Sequence, residues 1–154
     1  MPNNDSLFEN IYSAFLSAIE KYRLVETGDR VAVCVSGGKD SMLASLFFKR
    51  YAAENPNVTV RYICMDPGYN AENRKMIELN AEKLGIPLDI FETQIFDSVV
   101  RIEKSPCYLC ARMRRGWLYR KAKEAGCNKI ALGHHFDDVT ETVLMSTLYS
   151  GQYQ

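Results

Sequence analysis

The stretch from Val31 to Ser41 constrains the fold more than any other part of the chain. Residues 31–35 read Val-Ala-Val-Cys-Val, an uninterrupted apolar run that is typical of a buried parallel strand. Ser36-Gly-Gly-Lys-Asp-Ser41 follows, and apolar residues at helical spacing begin at Met42. A strand, a tight glycine turn and a helix in this order direct backbone N–H groups and the positive end of a helix at one point. Phosphate is the natural occupant of such a point.

Length and composition are those of one soluble globular domain. The chain has 154 residues, of which 47% are hydrophobic, and this is enough for one core. No apolar run reaches the roughly 18 residues of a membrane span, and the polar start at residues 2–5 does not resemble a secretory signal. With five cysteines and no export signal, we expect a cytoplasmic protein whose thiols are free or metal-bound.

Strand and helix patterns alternate along the chain. We expect a single domain over residues 1–154, with an N-terminal helix at about 6–25 and a core at about 30–150. Strands are predicted at 31–35, 58–65, 87–96 and 129–133, and helices from the glycine turn to 54 and at 70–84, 97–103, 106–125 and 137–149. This alternation predicts an α/β fold with a doubly wound parallel sheet, strand order 3-2-1-4 and helices on both faces. In helix 70–84, we expect Met76, Leu79 and Leu84 to face the core.

Three polar segments follow strands of this predicted sheet. They are Ser36–Ser41, Met65–Gly68 and Gly133–Asp138. Ligands of doubly wound sheets bind outside the carboxyl ends of the strands. We therefore expect the three segments to meet in space and to form one site.

The glycine turn, residues 36–41, has the chemistry of a phosphate site, although it lacks the Walker A spacing. Glycines let the backbone approach phosphate oxygens without a Cβ in the way. Lys39 offers a mobile cation for a leaving phosphate group, and Asp40 is suited to hold Mg²⁺. The serine hydroxyls are further partners, and Ser41 is a candidate helix cap. The predicted phosphate-binding residues are Ser36, Gly37, Gly38, Lys39, Asp40 and Ser41.

A second constellation follows the last predicted strand. Gly133 leaves room at the strand end, and both histidines of the chain, His134 and His135, come next. Asp137 and Asp138 then open a predicted helix. Carboxylates in a first turn are favoured by the helix dipole, so one interpretation is a simple cap. The same pair of acids also suits Mg²⁺.

A third constellation is Cys107-Tyr-Leu-Cys110, which follows a predicted helix start at Ser105-Pro106. The helix dipole and neighbouring arginines would lower the thiol pKa, and the resulting thiolates could bind iron or zinc or carry sulfur. Cations outnumber carboxylates between residues 101 and 129. This surplus fits a polyanion partner or a solvated basic helix.

These motifs together resemble a known family. Ser36-Gly-Gly-Lys-Asp-Ser41 resembles the PP-loop of ATP pyrophosphatases, which cleave ATP between its α- and β-phosphates. The run Gly133-His-His-Phe-Asp-Asp138 looks like the second signature of PP-loop tRNA-modifying enzymes. With the Cys107–Cys110 motif and its arginines, the chain is similar to the tRNA 2-thiocytidine synthetase family from Arg30 onward. That resemblance implies an adenine nucleotide alpha hydrolase-like fold and an enzyme that adenylates a cytidine carbonyl oxygen and replaces it with sulfur.

The resemblance also implies roles for particular residues. Cys107 and Cys110 would ligate an iron–sulfur cluster, of the [4Fe-4S] type, together with a third cysteine that is not in this chain. Arg114 and Asp137 would join Lys39 and Asp40 as catalytic residues. ATP would further contact Met65, Gly133, His134 and Asp138, with Asp40 and Asp138 holding Mg²⁺. Arg112, Arg115, Arg120 and Lys121 would meet tRNA phosphates.

The implied cofactors are ATP, Mg²⁺ and the cluster. The expected partners are tRNA, a sulfur donor (sulfide or a persulfide carrier) and, in a homodimer, a second copy of the chain, with no membrane contact. Because the later cysteine pair of the family is missing, we expect a fragment or a short relative that needs a partner. Two alternative functions remain: adenylation with an amine nucleophile, as in lysidine-forming synthetases, and a non-catalytic nucleotide- or metal-binding module.

Overall fold

The computed structural model describes residues 4–93 and 106–150. Within them, helices and strands alternate as the sequence predicts. In chain order they are α1 Asn4–Tyr22, β1 Arg30–Cys34, α2 Lys39–Glu54, β2 Thr59–Asp66, α3 Ala71–Lys83, β3 Leu88–Glu92, α4 Pro106–Glu124, β4 Lys129–Leu132 and α5 Phe136–Met145, followed by a π-helical turn, Ser146–Ser150. None of these helices has the length and apolar character needed to cross a bilayer.

The four strands form one parallel sheet in the order β3-β2-β1-β4, which confirms the predicted topology. Alternate residues of β1 point to opposite faces. Val31 and Val33 join a core beneath α1, α2 and α3, whereas Ala32 and Cys34 pack against Ala122 of α4. Because each face of the central strand is covered by helices, β1 is a continuous apolar run rather than an alternating one.

The buried carboxylate of Asp29 links the start of β1 to the start of β4. Asp29 accepts hydrogen bonds from the backbone N–H of Glu26 at 2.7 Å and from the side chain of Asn128 at 2.7 Å. Lys129 Nζ lies 2.8 Å from the same carboxylate. These partners, with Lys129 first, lower the pKa of Asp29 to about 2.

Several element boundaries and faces differ from the predictions. The first helix ends at Tyr22 rather than near 25, because Arg23 adopts a left-handed conformation with φ +50°. In α3 the buried residues are Ile77 and Ala81, so the prediction that Met76 and Leu79 face inward was wrong; Met76 is 58% exposed. Strand β3 ends at Glu92, and the predicted residues 94–96 of that strand and the helix at 97–103 lie outside the described residues.

Helix α5 lies at the margin of the domain rather than in its core. It begins at Phe136 with His135 as its N-cap, one residue earlier than predicted. None of its residues is buried, and Phe136 is 79% exposed. Residues 133–135 connect its N-terminal turn to the end of β4.

Candidate functional site

A cleft of about 320 Å³ opens at the carboxyl ends of β1, β2 and β4. It brings together members of all three predicted segments, although up to about 100 residues separate them, as expected of a parallel sheet. Helix α4 forms the remaining wall. The lining residues are Cys34, Val35, Ser36, Ser41, Met65, Arg114, Arg115, Leu118, Tyr119, Leu132, Gly133 and His134.

Hydrogen bonds within the glycine turn hold the start of α2 open to a ligand. The backbone N–H of Ser36 donates to Ser41 Oγ at 3.1 Å, and Ser41 Oγ donates to the carbonyl of Gly38 at 2.9 Å. Gly38 is the N-cap of α2, and no side chain caps the helix there. The predicted capping by Ser41 was therefore wrong, because its hydroxyl braces the turn. The first-turn N–H groups of an uncapped helix favour an anion.

Two glycines are required by close packing around this turn. Gly37 has φ +86°, and a Cβ on it would lie 2.6 Å from Ile77 Cγ1 of α3. A Cβ on Gly133 would lie 2.7 Å from Ser41 Cα. Gly38 is different, because a Cβ there would meet only Ser36 Oγ, at an ordinary 3.6 Å. The fold therefore accommodates a side chain at residue 38, and the open space beside it is the space that a ligand would use.

Lys39 and Asp40 lie at the margin of the cleft and not among its lining residues. Their side chains form an ion pair at 3.1 Å, with the lysine 86% exposed. An exposed pair of this kind contributes little to stability. Both side chains are consequently free to exchange this contact for a phosphate or a cation.

At the start of α5, Asp138 serves as a cap. Its carboxylate accepts the backbone N–H of His135 at 2.8 Å. This hydrogen bond is the largest cause that lowers the pKa of Asp138, and the charges of both histidines and of Lys39 act in the same direction. The glycine turn and α5 are neighbours, because Gly133, three residues before α5, adjoins the backbone of Ser41. Asp137, whose side chain is 79% exposed, lies 4.0 Å from His135 Nδ1 and does not line the cleft.

The predicted RNA-binding cations of helix α4 do not all lie at the cleft. Arg115 lines the cleft and Arg112 is exposed. Arg120 instead lies over the ring of Trp117 at 4.9 Å, and Lys121 pairs with Glu124 at 2.7 Å. The structure therefore brings only part of the predicted set to the cleft.

A set of hydrogen bonds at the end of β2 was not predicted from the sequence. Asp66 is buried and accepts the backbone N–H groups of Gly68 at 2.9 Å and Tyr69 at 2.6 Å. Burial raises the pKa of Tyr69, and the adjacent Arg114 opposes that rise through its charge and a hydrogen bond. Arg114, which lines the cleft, therefore lies beside Tyr69. The segment Met65–Gly68 was predicted to reach the site, but its turn sequence, Asp66-Pro67-Gly68, was not given a role for Asp66.

Met65 contributes less side chain to the cleft than predicted. It is 4% exposed and packs among Phe91, Met113, Trp117 and Leu118. A ligand in the cleft could therefore contact only the backbone of Met65 and the small exposed part of its side chain.

The cysteines fall into two groups. Helix α4 begins at Pro106, as predicted, so Cys107 and Cys110 lie in its first turns, on the side of the sheet where Arg114 lines the cleft. Cys34 and Cys64 are buried, and burial raises their pKa to about 12 and about 11. Among residues 5–93 and 112–149, whose side chains the structure describes, no three His, Cys, Asp or Glu side chains are arranged to hold a metal.

A parallel sheet with a glycine turn after its central strand defines a class of nucleotide-binding domain, and a model of the PP-loop domain family matches residues 8–152. The chain therefore belongs to the PP-loop domain family. Its relatives include the tRNA-cytidine(32) 2-sulfurtransferase of Neisseria meningitidis serogroup A, 38% identical over 97% of this chain and 48% of that protein. The enzyme of the same name from Alkalilimnicola ehrlichii is 40% identical over 88% of this chain and 45% of that protein. The chain spans about half the length of these curated relatives.

Solved structures agree with this assignment. The U34-tRNA thiolase NcsA from Methanococcus maripaludis, solved with its [4Fe-4S] cluster, matches with a TM-score of 0.79 and 25% identity over 96% of this chain and 52% of that chain. The NH3-dependent NAD synthetase of Campylobacter jejuni matches with a TM-score of 0.60 and 19% identity over 100% of this chain and 62% of that chain. The second similarity is one of fold alone.

Proposed function

We propose that this chain is the ATP-binding and adenylating part of a tRNA-thiolating enzyme. In this reaction the carbonyl oxygen of a cytidine attacks the α-phosphate of ATP, pyrophosphate leaves, and sulfur then displaces AMP. The observation that carries the proposal is the single cleft where the glycine turn, the end of β4 and the basic wall of α4 meet. The relatives named tRNA-cytidine(32) 2-sulfurtransferase support the choice of acceptor.

The glycine turn receives the β- and γ-phosphates, because the first turn of α2 has no side-chain cap. Lys39 stabilises the charge on the leaving pyrophosphate. The carboxylates of Asp40 and Asp138 would hold Mg²⁺ with the phosphate oxygens, a set of ligands that suits this ion. The proposed ATP contacts are Ser36, Gly37, Gly38, Lys39, Asp40, Ser41, Met65, Gly133, His134 and Asp138.

Two further residues act near the α-phosphate in this proposal. Arg114 lines the cleft, and its guanidinium would stabilise charge that develops during attack. Asp137, in the first turn of α5 three residues after the cleft-lining His134, is the proposed catalytic acid. The tRNA backbone would meet Arg112, Arg115, Arg120 and Lys121.

Cys107 and Cys110 are proposed ligands of an iron–sulfur cluster. The Cys-x-x-Cys spacing is one that the thiolate ligands of a metal centre commonly have. Cys34 and Cys64 are poor third ligands, because burial disfavours their thiolates. Cys127 follows the opposite end of α4. The third cysteine would therefore not be one of the five cysteines of this chain. When bound, the cluster would present sulfur from a sulfide or persulfide donor to the adenylated base.

Pyrophosphate release and iron binding test the two parts of the proposal separately. The chain is purified anaerobically, supplied with iron and sulfide, and then assayed with ATP, Mg²⁺ and a tRNA transcript. We expect tRNA-dependent pyrophosphate release by the wild type and by Cys107→Ser, with bound iron and its visible absorbance in the wild type only. Cys127→Ser is the matched control and should retain both properties. Absence of pyrophosphate release by the wild type would contradict adenylation, and equal iron binding by Cys107→Ser and the wild type would contradict the cluster assignment.

A further inference from the structure

Tyr119 is an aromatic side chain in the cleft that has no assigned role. It is 50% exposed and lies on the α4 wall, one helical turn after Arg115. Of the phenylalanine, tyrosine and tryptophan residues that the structure describes, it is the one that lines the cleft. A tyrosine ring is a rigid apolar surface, and leaving half of it in solvent beside a ligand cleft favours a contact with a flat partner.

Helix geometry places Tyr119 on the β4 side of the cleft. Successive helical residues are rotated by about 100°, so Trp117 and Tyr119 lie on opposite flanks of Leu118. Trp117 packs beside Met65 in a cluster that includes Phe91 of β3. The Trp117 flank therefore faces β2 and β3, and the Tyr119 flank faces the end of β4. We place the adenine of ATP beside Met65, the proposed ATP contact at the end of β2, so the ring of Tyr119 lies on the other side of the phosphate site.

We infer that Tyr119 is the stacking platform for the unpaired acceptor base of the RNA, with Arg115 contacting the phosphate beside that base. This inference rests on the proposed function. Proteins that bind single-stranded RNA commonly stack unpaired bases on aromatic side chains, and a guanidinium beside the ring can bind the adjoining phosphate. The stacking uses the ring and not the hydroxyl, so phenylalanine should replace tyrosine without loss of RNA affinity.

A fluorescent cytosine analogue tests the inference directly. An RNA hairpin with pyrrolocytosine in its loop is titrated with the wild type, Tyr119→Phe, Tyr119→Leu and Tyr22→Leu. Tyr22 is a matched control, because it is 63% exposed and lies at the end of α1. We expect quenching by the wild type, the phenylalanine variant and the control. The Tyr119→Leu variant should bind about 5- to 150-fold more weakly and lose the quenching, as expected for one lost base stack.

The ring of Tyr119 could contact either the adenine of the nucleotide or the acceptor base of the RNA. Titration with AMP, followed by the fluorescence of Trp117, distinguishes these two contacts. Tyr119→Leu should bind AMP as the wild type does. Weaker AMP binding with unchanged hairpin binding would overturn the inference, because the ring would then belong to the adenine site. Equal hairpin affinity and quenching for Tyr119→Leu and the wild type would also overturn it and leave the proposed function intact. A wild type that binds neither AMP nor the hairpin would overturn both.

Discussion

The contact between Gly133 and the first turn of α2 allows a sharp test of the site geometry. Replacing Gly133 by alanine puts a Cβ 2.7 Å from Ser41 Cα and 2.8 Å from Ser41 N. Both neighbours are backbone atoms, so no side-chain rotation relieves the overlap. The end of β4 and the start of α2 would have to separate by about 0.7 Å to restore ordinary contact. Overpacking of this kind costs about 1–3 kcal/mol.

Gly116 provides a control, because the same substitution there should change the free energy of unfolding in the opposite direction. It lies in the middle of α4, is exposed, and a Cβ there would meet nothing within 4 Å. Alanine in place of glycine within a helix is favourable by about 0.5–1 kcal/mol. The same chemical change should therefore destabilise the protein at Gly133 and stabilise it at Gly116.

Urea unfolding, followed by Trp117 fluorescence and by far-ultraviolet circular dichroism, measures both effects. We expect a lower midpoint for Gly133→Ala and a higher midpoint for Gly116→Ala, with similar slopes. Gly133→Ala should also weaken ATP binding, because the separation distorts the glycine turn, whereas Gly116→Ala should not. A Gly133→Ala variant that matches the wild type in midpoint and in ATP affinity would refute the close approach of β4 and α2.

Three further predictions concern stability, pH and thiol chemistry. Ile77→Ala should lower the free energy of unfolding by about 2–5 kcal/mol, whereas exposed Met76→Ala should change it by less than about 0.5 kcal/mol in the same urea assay. Asp29→Asn should be less stable than the wild type at pH 7. Because the pKa of Asp29 is lowered to about 2, the carboxylate stabilises the fold above its unfolded pKa of about 4, and the difference in urea midpoint should vanish as the pH falls toward 2. Cys34, buried with its pKa raised to about 12, should react with a thiol reagent at pH 8 far more slowly than half-buried Cys127, as peptide mass spectrometry would measure; equal rates would contradict the burial of Cys34.

Local sequence signals determined much of the fold and of the candidate site. The apolar run at residues 31–35, the glycine turn and the helical pattern after it predicted β1, the start of α2 and the phosphate site between them. The alternation of strands and helices predicted the parallel sheet and its order. These signals are readable because backbone propensity, apolar periodicity and glycine placement depend on residues close together in the chain. The meeting of the three strand ends then followed from the topology of parallel sheets.

Tertiary packing decided the features that depend on distant residues. The need for glycine at 133 arises from Ser41, far away in the sequence. The inward face of α3 is set by where the helix docks, so Ile77 is buried and Met76 is not, although both are apolar. The position of Tyr119 on the β4 side likewise depends on how α4 rotates over the sheet. The chain alone thus determined which chemical groups are present and which sheet edge they share. Only the packed structure decided which of them face one another, because side-chain orientation is set by contacts between elements.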